Sequence, residues 1–246
     1  MKNFRADLHI HTTLSPCGDL EMHPVNIVSE AAKKGLDIIG ITDHNCTRHC
    51  GLISRLAEEK GIFVLLGAEV TTKEEVHCLV FFEKPDALNT FQGFLDENLP
   101  DILNAPEIFG YQVQVDEHET IVFEEPRLLA NALNKSMEEV ESFVHALNGL
   151  FIPAHIDKMK NSIYSQLGFL PAGLRADALE ISMQATPEQF GVLHPEISRY
   201  PLIRSSDAHY IDYIGMAVTY FSIANASFSE ISLALRSEKG RRIYRQ

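Results

Sequence analysis

The residues that could do chemistry in this chain are histidines and carboxylates placed at the ends of strand-like segments. Asp7-Leu8-His9-Ile10-His11 sets a His-x-His pair beside a carboxylate. Asp43-His44 follows the apolar run Leu36–Thr42, and Glu69 follows Ile62–Ala68. His77 opens another apolar run, His155 closes Phe151-Ile152-Pro153-Ala154, and Asp207-Ala208-His209 adds a last carboxylate and imidazole. Strand side chains alternate faces, so residues two apart point the same way. His9 and His11 can therefore meet one ion, and so can Asp207 and His209. Imidazole with carboxylate suits zinc, iron or manganese. Together these residues read as a multinuclear metal centre, whose usual chemistry is hydrolysis.

Such a centre needs a frame that brings strand ends together. Buried parallel strands read as short apolar runs, and α/β folds collect their chemistry at the carboxyl ends of those strands. A strand over 6–11 leads to a loop over 12–23. A helix begins at Pro24, carries Ile27, Val28, Ala31 and Ala32 on one face, and ends at Gly35. A strand over 37–42, a helix over 51–60 and a strand over 62–69 complete a βαβαβ pattern, the signature of a parallel sheet. His77 lies at the start of the strand over 76–82, unlike the other ligands. It reaches the site only if that strand runs opposite to its neighbours or bends back after Glu69.

Residues 84–150 interrupt the alternation. Segments 110–115 and 120–123 flank a polar turn and read as a hairpin, and a helix is expected over 126–134. Ser136 with Glu139 forms a capping box for a helix to Asn148-Gly149. Short strands return at 150–154, 178–182, 202–205 and 217–220, with a final helix over 229–237. The expectation is one domain over 1–246, with an insertion at 84–150. Seven or eight strands suit a closed or nearly closed α/β barrel.

Composition sets the outer limits. Apolar residues make up 45% of 246, enough for a substantial core. No run of about 18 apolar residues exists, so no spanning helix or membrane role is expected. The first residues carry no apolar signal region, so a cytoplasmic protein is expected. The net charge of −13 argues against stable nucleic-acid binding, which needs a basic face. It leaves room for a phosphorylated substrate, because bound cations invert the local field. Cys17, Cys46, Cys50 and Cys78 are read as ordinary thiols. The Cys46-His49-Cys50 spacing matches no common structural zinc pattern. His23, His49, His118, His145 and His194 have no partner pattern and are taken as structural or exposed.

In order and spacing, these elements resemble the PHP (polymerase and histidinol phosphatase) domain family. The likeness rests on His9-Ile10-His11, Thr42-Asp43-His44, Gly67-Ala68-Glu69, His77, Pro153-Ala154-His155 and Ser206-Asp207-Ala208-His209. It implies a distorted (β/α)7 TIM-like barrel, here with an inserted hairpin-plus-helix segment, and two to three divalent ions. His9, His11, Glu69 and Asp207 would hold the first ion. Glu69 would bridge to a second, also held by His77 and His155. A third would take His44, His209 and a residue of the loop after His11. Asp19 is favoured there, with Cys17 and His23 as rivals.

The implied activity is a metal-dependent phosphoesterase in which a metal-bridging hydroxide attacks a small phosphate ester. A phosphomonoester is favoured over a nucleotide phosphodiester, and Glu69, Asp207 and His209 would carry the catalysis. Lys158, Arg48 and Arg204 are candidates to grip the phosphate. Asp7 and Asp43 are read as orienting the histidines through hydrogen bonds. Two alternatives stay open. One is a hydrolase of the amidohydrolase type, which would normally show a carbamylated lysine. The other is a non-catalytic metal-binding regulatory module, which would be expected to show degraded ligands.

Overall fold

The computed structural model describes residues 1–244. Its elements are β1 (Lys2–Ile10), α1 (Pro24–Lys33), β2 (Ile38–Ile41), α2 (Cys50–Glu58), β3 (Phe63–Thr71), β4 (His77–Phe82), α3 (Pro85–Asn98) and α4 (Pro106–Phe109). They continue with β5 (Val113–Val115), β6 (Ile121–Glu124), α5 (Met137–Ala146), β7 (Leu150–Pro153), α6 (Ile163–Leu167) and β8 (Leu179–Ile181). The chain ends with α7 (Pro187–Leu193), β9 (Leu202–Arg204), β10 (Thr219–Ile223), α8 (Phe228–Leu235) and β11 (Arg242–Tyr244).

Seven strands form one curled sheet in the order β11-β10-β1-β2-β3-β4-β7, and β8 pairs with β9 alone. Isolated hydrogen bonds complete the ring. The Asp177 N–H donates to the Phe151 carbonyl at 2.9 Å, and the Ile156 N–H to that of Glu180 at 2.8 Å. On the other side the His11 N–H donates to the Ala208 carbonyl at 3.0 Å. The result is a distorted TIM-like barrel, nearly closed, as the strand count led one to expect. β4 runs antiparallel to β3, with His77 opposite Thr71. That reversal brings a residue at the start of a strand to the end where its neighbours finish.

Two apolar clusters flank the sheet. One fills the ring with Ala6, Leu8, Ile38, Leu65, Leu79, Phe81, Leu150 and Ile152, plugged at the far end by Phe228, Ile231 and Leu235 of α8. The other packs Ile39, Ile41, Val64, Ala68, Val80 and Phe82 against α1, α2, α3 and α5. Each such side chain contributes roughly 1.5–3 kcal/mol on full burial. The strands are apolar on both faces because both faces are covered.

Two local features depart from the sequence reading. A helix was expected over 126–134, and the structure has none there. The backbone of that stretch is held by side chains instead. The Asn45 amide donates to the Leu129 and Asn131 carbonyls at 2.7 and 2.8 Å, and the Gln112 amide to the Arg127 carbonyl at 2.7 Å. Conversely, α3 is a 14-residue helix that the sequence reading did not single out. Its buried Leu88, Phe91 and Leu95 mark the apolar stripe. The predicted capping box is present: the Glu139 N–H donates to Ser136 Oγ at 3.2 Å, and the Ser136 N–H to Glu139 Oε2 at 2.9 Å.

Candidate metal centre

β1 carries one extra residue against β2: Asp7 pairs with Ile39, but Ile10 pairs with Ile41. A bulge shifts the alternation of a strand. Here Ala6 and Leu8 fill the ring, and beyond the bulge His9 and His11 point to the same mouth while Ile10 turns to the helices. Two further ligand candidates sit on strained backbone. His155 has φ 30° and Asp207 has φ 54°, a region that non-glycine residues rarely occupy. Both positions follow the last residue of a strand or its extension, where the chain must turn sharply to aim a side chain inward.

Glu69 is the hub. It is 1% exposed, and its two oxygens lie among five imidazoles. His77 Nδ1 is 2.9 Å away, His44 Nδ1 and His155 Nε2 are 3.0 Å away, His9 Nε2 is 3.3 Å and His11 Nε2 is 3.5 Å. Asp207 Oδ1 faces His9 Nε2 at 3.4 Å, His11 Nε2 at 3.3 Å and His209 Nδ1 at 3.5 Å. Three groups have ligand atoms within 4.8 Å of one another: His9-His11-Glu69, His44-Glu69-His77 and His11-His44-His209. The structure thus brings eight of the nine expected ligands together. Asp19 is the exception. Its Oδ1 accepts the Glu21 N–H at 2.8 Å, and it lines an outer cavity with Glu21, Lys33 and Tyr210.

The donor set fits divalent cations. His9 Nδ1 faces the Glu180 carboxylate at 3.0 Å, so it carries a proton. His11 Nδ1 faces Ser15 Oγ at 2.8 Å. Ser15 already donates to Asp43 Oδ1 at 2.8 Å, so His11 must be the donor to it. In their neutral forms His9 and His11 would present bare Nε2 lone pairs, 3.1 Å apart, to two carboxylates. Lone pairs facing lone pairs in a buried site need positive charge between them, from protons or from metal. His44 Nδ1 lies 3.0 Å from Glu69 Oε2 without the alignment of a hydrogen bond, as two groups that share an ion would.

The titration behaviour says the same. Burial works against charge on Glu69, but His77, His9 and His44 outweigh it and hold the carboxyl well below its ordinary range. Burial likewise opposes charge on Asp207, and His9 and His11 pull it well down. Burial opposes protonation of His9 and His44. For His9 the Glu180, Asp207 and Glu69 carboxylates prevail, and for His44 Cys17 and Glu69 prevail, so both are pushed well up. His11, buried beside His209 and His44, is driven well down.

Glu180 is the residue the sequence reading missed. It lies in β8, is 1% exposed, and its Oε2 also accepts the His155 N–H at 2.9 Å. One signal was present: a lone acid inside the apolar strand Ala178–Ser182. Asp43 reaches His11 through Ser15, as a second layer of support. Asp7 does not touch an imidazole. It accepts the Ser206 and Gly215 N–H groups at 3.0 and 2.7 Å, tying the Asp207 loop to β1. His49 is buried and structural: Thr12 Oγ1 lies 2.7 Å from its Nδ1, and its Nε2 accepts the Val115 N–H at 3.0 Å.

The expected phosphate-gripping cations divide. Lys158 Nζ pairs with Asp207 Oδ2 at the rim of the cluster. Arg48 is held by Asp96 at 2.9 Å and Glu125 at 3.1 Å, which neutralise it. Arg204 donates to the Met183 carbonyl at 3.3 Å and lines a separate cavity of about 510 Å³ with Thr186, Tyr220 and Tyr244. Neither arginine is placed to meet a phosphate at the cluster. Cys46 and Cys50 are buried and free, and among the described residues neither joins a group able to hold an ion.

The PHP domain model matches residues 7–166, well over half of the chain and all but two of the eight clustered residues. The chain belongs to the PHP domain family. Among relatives of this PHP protein, YqxK of Bacillus subtilis is 25% identical over 274 aligned positions, covering 99% of the chain and 64% of YqxK. The fold is similar to that of the lesion-specific endonuclease PfuEndoQ from Pyrococcus furiosus, with TM-score 0.74 and 22% identity. That match covers 98% of the chain and 58% of the endonuclease. A structure of Endonuclease Q with a 27-mer duplex bearing an abasic lesion at its active site gives TM-score 0.70 and 23% identity, with the same coverage. A candidate metal-dependent phosphoesterase from Bifidobacterium adolescentis gives TM-score 0.57 and 23% identity, over 83% of the chain and 87% of that protein. The chain spans less than two thirds of YqxK and of the endonuclease. Among the described residues no helix is long and apolar enough to cross a membrane.

Proposed function

We propose that this PHP protein is a metal-dependent phosphoesterase that holds two to three divalent ions. The observation that carries the reading is Glu69, a buried carboxylate with five histidine nitrogens within 3.5 Å. His9, His11, Glu69 and Asp207 would hold one ion, and Glu69, His77 and His155 a second. His44 and His209 would hold part of a third. Bound ions of this kind lower the pKa of water from 15.7 to about 7 and neutralise phosphoryl oxygens.

The protein's own groups then have distinct tasks. Glu69 and Asp207 keep negative charge buried at the centre, so that cations are retained there. Glu180, Ser15 and Asp43 fix the imidazole tautomers. His209, 20% exposed, and Lys158, 31% exposed, stand at the open side, where a phosphate would arrive. Bringing a phosphate against Asp207 without a cation would be repulsive, so Lys158 contributes its charge at the rim. The proposed unit is 1–246, with the β5–β6 hairpin of the 84–150 segment held beside the loop after His11 by the bond from the Val113 N–H to the Thr13 carbonyl at 2.8 Å.

A small phosphomonoester is the preferred substrate. Lys158 is the one expected cation at the cluster, and the net charge of −13 disfavours a long polyanion. A second reading has support from the likeness to a lesion endonuclease seen with duplex DNA. In it the ester is a phosphodiester within nucleic acid, and the ions supply the missing positive field.

The test is purification without chelator, metal counting, and phosphate release from a panel. The panel holds an aryl phosphomonoester, an aryl phosphodiester, histidinol phosphate, nucleoside monophosphates and an abasic-site duplex. Two or three ions and turnover abolished in Glu69→Gln are expected. Cleavage confined to the duplex would select the second reading. A chain that takes up no metal would refute both.

A further inference from the structure

β5 and β6 form a sheet of two strands with unlike edges. The inner edge, β5, is bonded to the body of the protein. The Val113 N–H donates to the Thr13 carbonyl at 2.8 Å, and the Val115 N–H to His49 Nε2 at 3.0 Å. The outer edge is β6. Backbone groups of successive strand residues point alternately to the two edges. The Glu125 N–H turns inward, to the Gln112 carbonyl at 2.9 Å. The Pro126 carbonyl and the Leu128 N–H turn outward, to the Asn104 N–H and the Ile102 carbonyl, both at 2.8 Å. Ahead of them, among the described residues, no strand pairs with the outer side of β6 over Ile121–Glu124.

This uncovered stretch is apolar. Ile121, Val122 and Phe123 are exposed, as are Leu103 and Ile108 in the chain that borders them. Asn104 Nδ2 donates to the Gly110 carbonyl at 2.9 Å and ties these pieces together. Eight large apolar side chains between Ile102 and Phe123 are 42–72% exposed. Half of such a side chain is roughly 100 Å², so together they offer about 800 Å². That is more than a monomer normally leaves in water, and about what one partner buries in a stable interface. An open edge strand is a template for another strand.

We propose that the outer edge of β6 pairs with β6 of a second copy, making a twofold dimer. The run is self-complementary. An antiparallel pairing centred on Val122 sets Ile121 against Phe123 of the second copy on both sides of the axis, and Glu124 against Thr120. Each β-branched residue then meets an aromatic ring, and within the paired stretch no two carboxylates face each other. Glu117, Glu119 and Glu124 are exposed around the edge and repel a polyanion or an anionic lipid surface. The edge is also preformed, fixed through β5 to Thr13 and His49 and by Arg48, 5.8 Å over the Phe123 ring. Little freedom is lost on pairing. Each copy would stand beside the other's loop after His11, next to the mouth of the metal cluster. Dimerisation and metal binding are independent, so either can fail alone.

The full chain is followed by light scattering behind a sizing column, over a dilution series at low and high salt. Wild type should approach twice the mass of one chain when concentrated. The dimer should tighten at high salt, because screening relieves the repulsion between two chains of net charge −13 while apolar pairing persists. Val122→Lys should stay monomeric throughout, with an unchanged circular dichroism spectrum because Val122 is exposed. In a Cys17→Ser background the remaining cysteines are buried. There Val122→Cys should be joined to its copy by a short bismaleimide, and Val192→Cys, exposed on α7, should not. A wild type that is monomeric at every concentration overturns the proposal and leaves the edge to a different partner. A dimer that survives Val122→Lys, or in which Val122→Cys fails to join, also overturns it, because the copies would then meet on another face.

Discussion

Glu180 offers the sharpest test of how the centre is held. Its carboxylate touches no candidate ion position. It acts through His9 Nδ1, 3.0 Å away, and through the His155 N–H, 2.9 Å away. One oxygen thus sets the tautomer of one ligand and the backbone of another. Partners of this kind are typically worth 10–100-fold in metal affinity. At 1.36 kcal/mol per decade that is about 1.4–2.7 kcal/mol. Glu180→Gln keeps the shape and an oxygen for both donors but removes the charge, so about tenfold weaker binding is expected. Glu180→Ala also orphans the His155 N–H, which costs about 1–3 kcal/mol, and should approach a hundredfold. Competition against a chromophoric chelator measures the affinities, and denaturant unfolding of the metal-free forms measures stability. Affinities of both variants within twofold of wild type would refute the reasoning. A stability loss without an affinity loss would make Glu180 merely structural.

Other perturbations probe the frame and the loop. Gly40→Ala would drive a Cβ into the Leu8 carbonyl across the β1–β2 pair. Overpacking of this kind costs about 1–3 kcal/mol, visible as a lower denaturant midpoint; an unchanged midpoint would show that the strands can part. His49→Ala removes the link from Thr12 to the Val115 N–H. It should cost about 1–2 kcal/mol and speed proteolytic cleavage within 110–125, and equal cleavage rates would disprove that tether. In metal-free protein, desolvation opposes the Cys17 thiolate, but His44 and His209 bring its pKa down to about 6. Alkylation should therefore rise as pH passes upward through about 6 and modify Cys17 alone. Burial pushes Cys46 up to about 12 and Cys78 well up, so reaction there in folded protein would contradict the packing.

The sequence carried the cluster because its ligands sit at strand ends, where an apolar run announces the strand and its terminus announces the site. His9, His11, His44, Glu69, His155, Asp207 and His209 were all legible that way. His77 was legible as a residue and awkward as a position, until β4 proved antiparallel to β3. What stayed hidden depends on contacts between segments far apart in the chain. Glu180 lies 171 residues from His9, and no local pattern reports that distance closing. The bulge in β1 is invisible in a string that alternates smoothly. The stretch over 126–134 has helical composition, but Asn45 and Gln112, distant in sequence, supply its backbone partners. The turn Pro16-Cys17-Gly18-Asp19 led one to expect the Asp19 carboxylate back at the strand end. The bond from the Asp19 N–H to the His209 carbonyl at 2.9 Å and that from the Glu21 N–H to Asp19 Oδ1 at 2.8 Å hold it elsewhere, and the first depends on where the Asp207 loop comes to rest. Residue types thus declare the chemistry early. Whether a given residue reaches the site follows only from tertiary geometry, as the placements of Asp19 and Glu180 show.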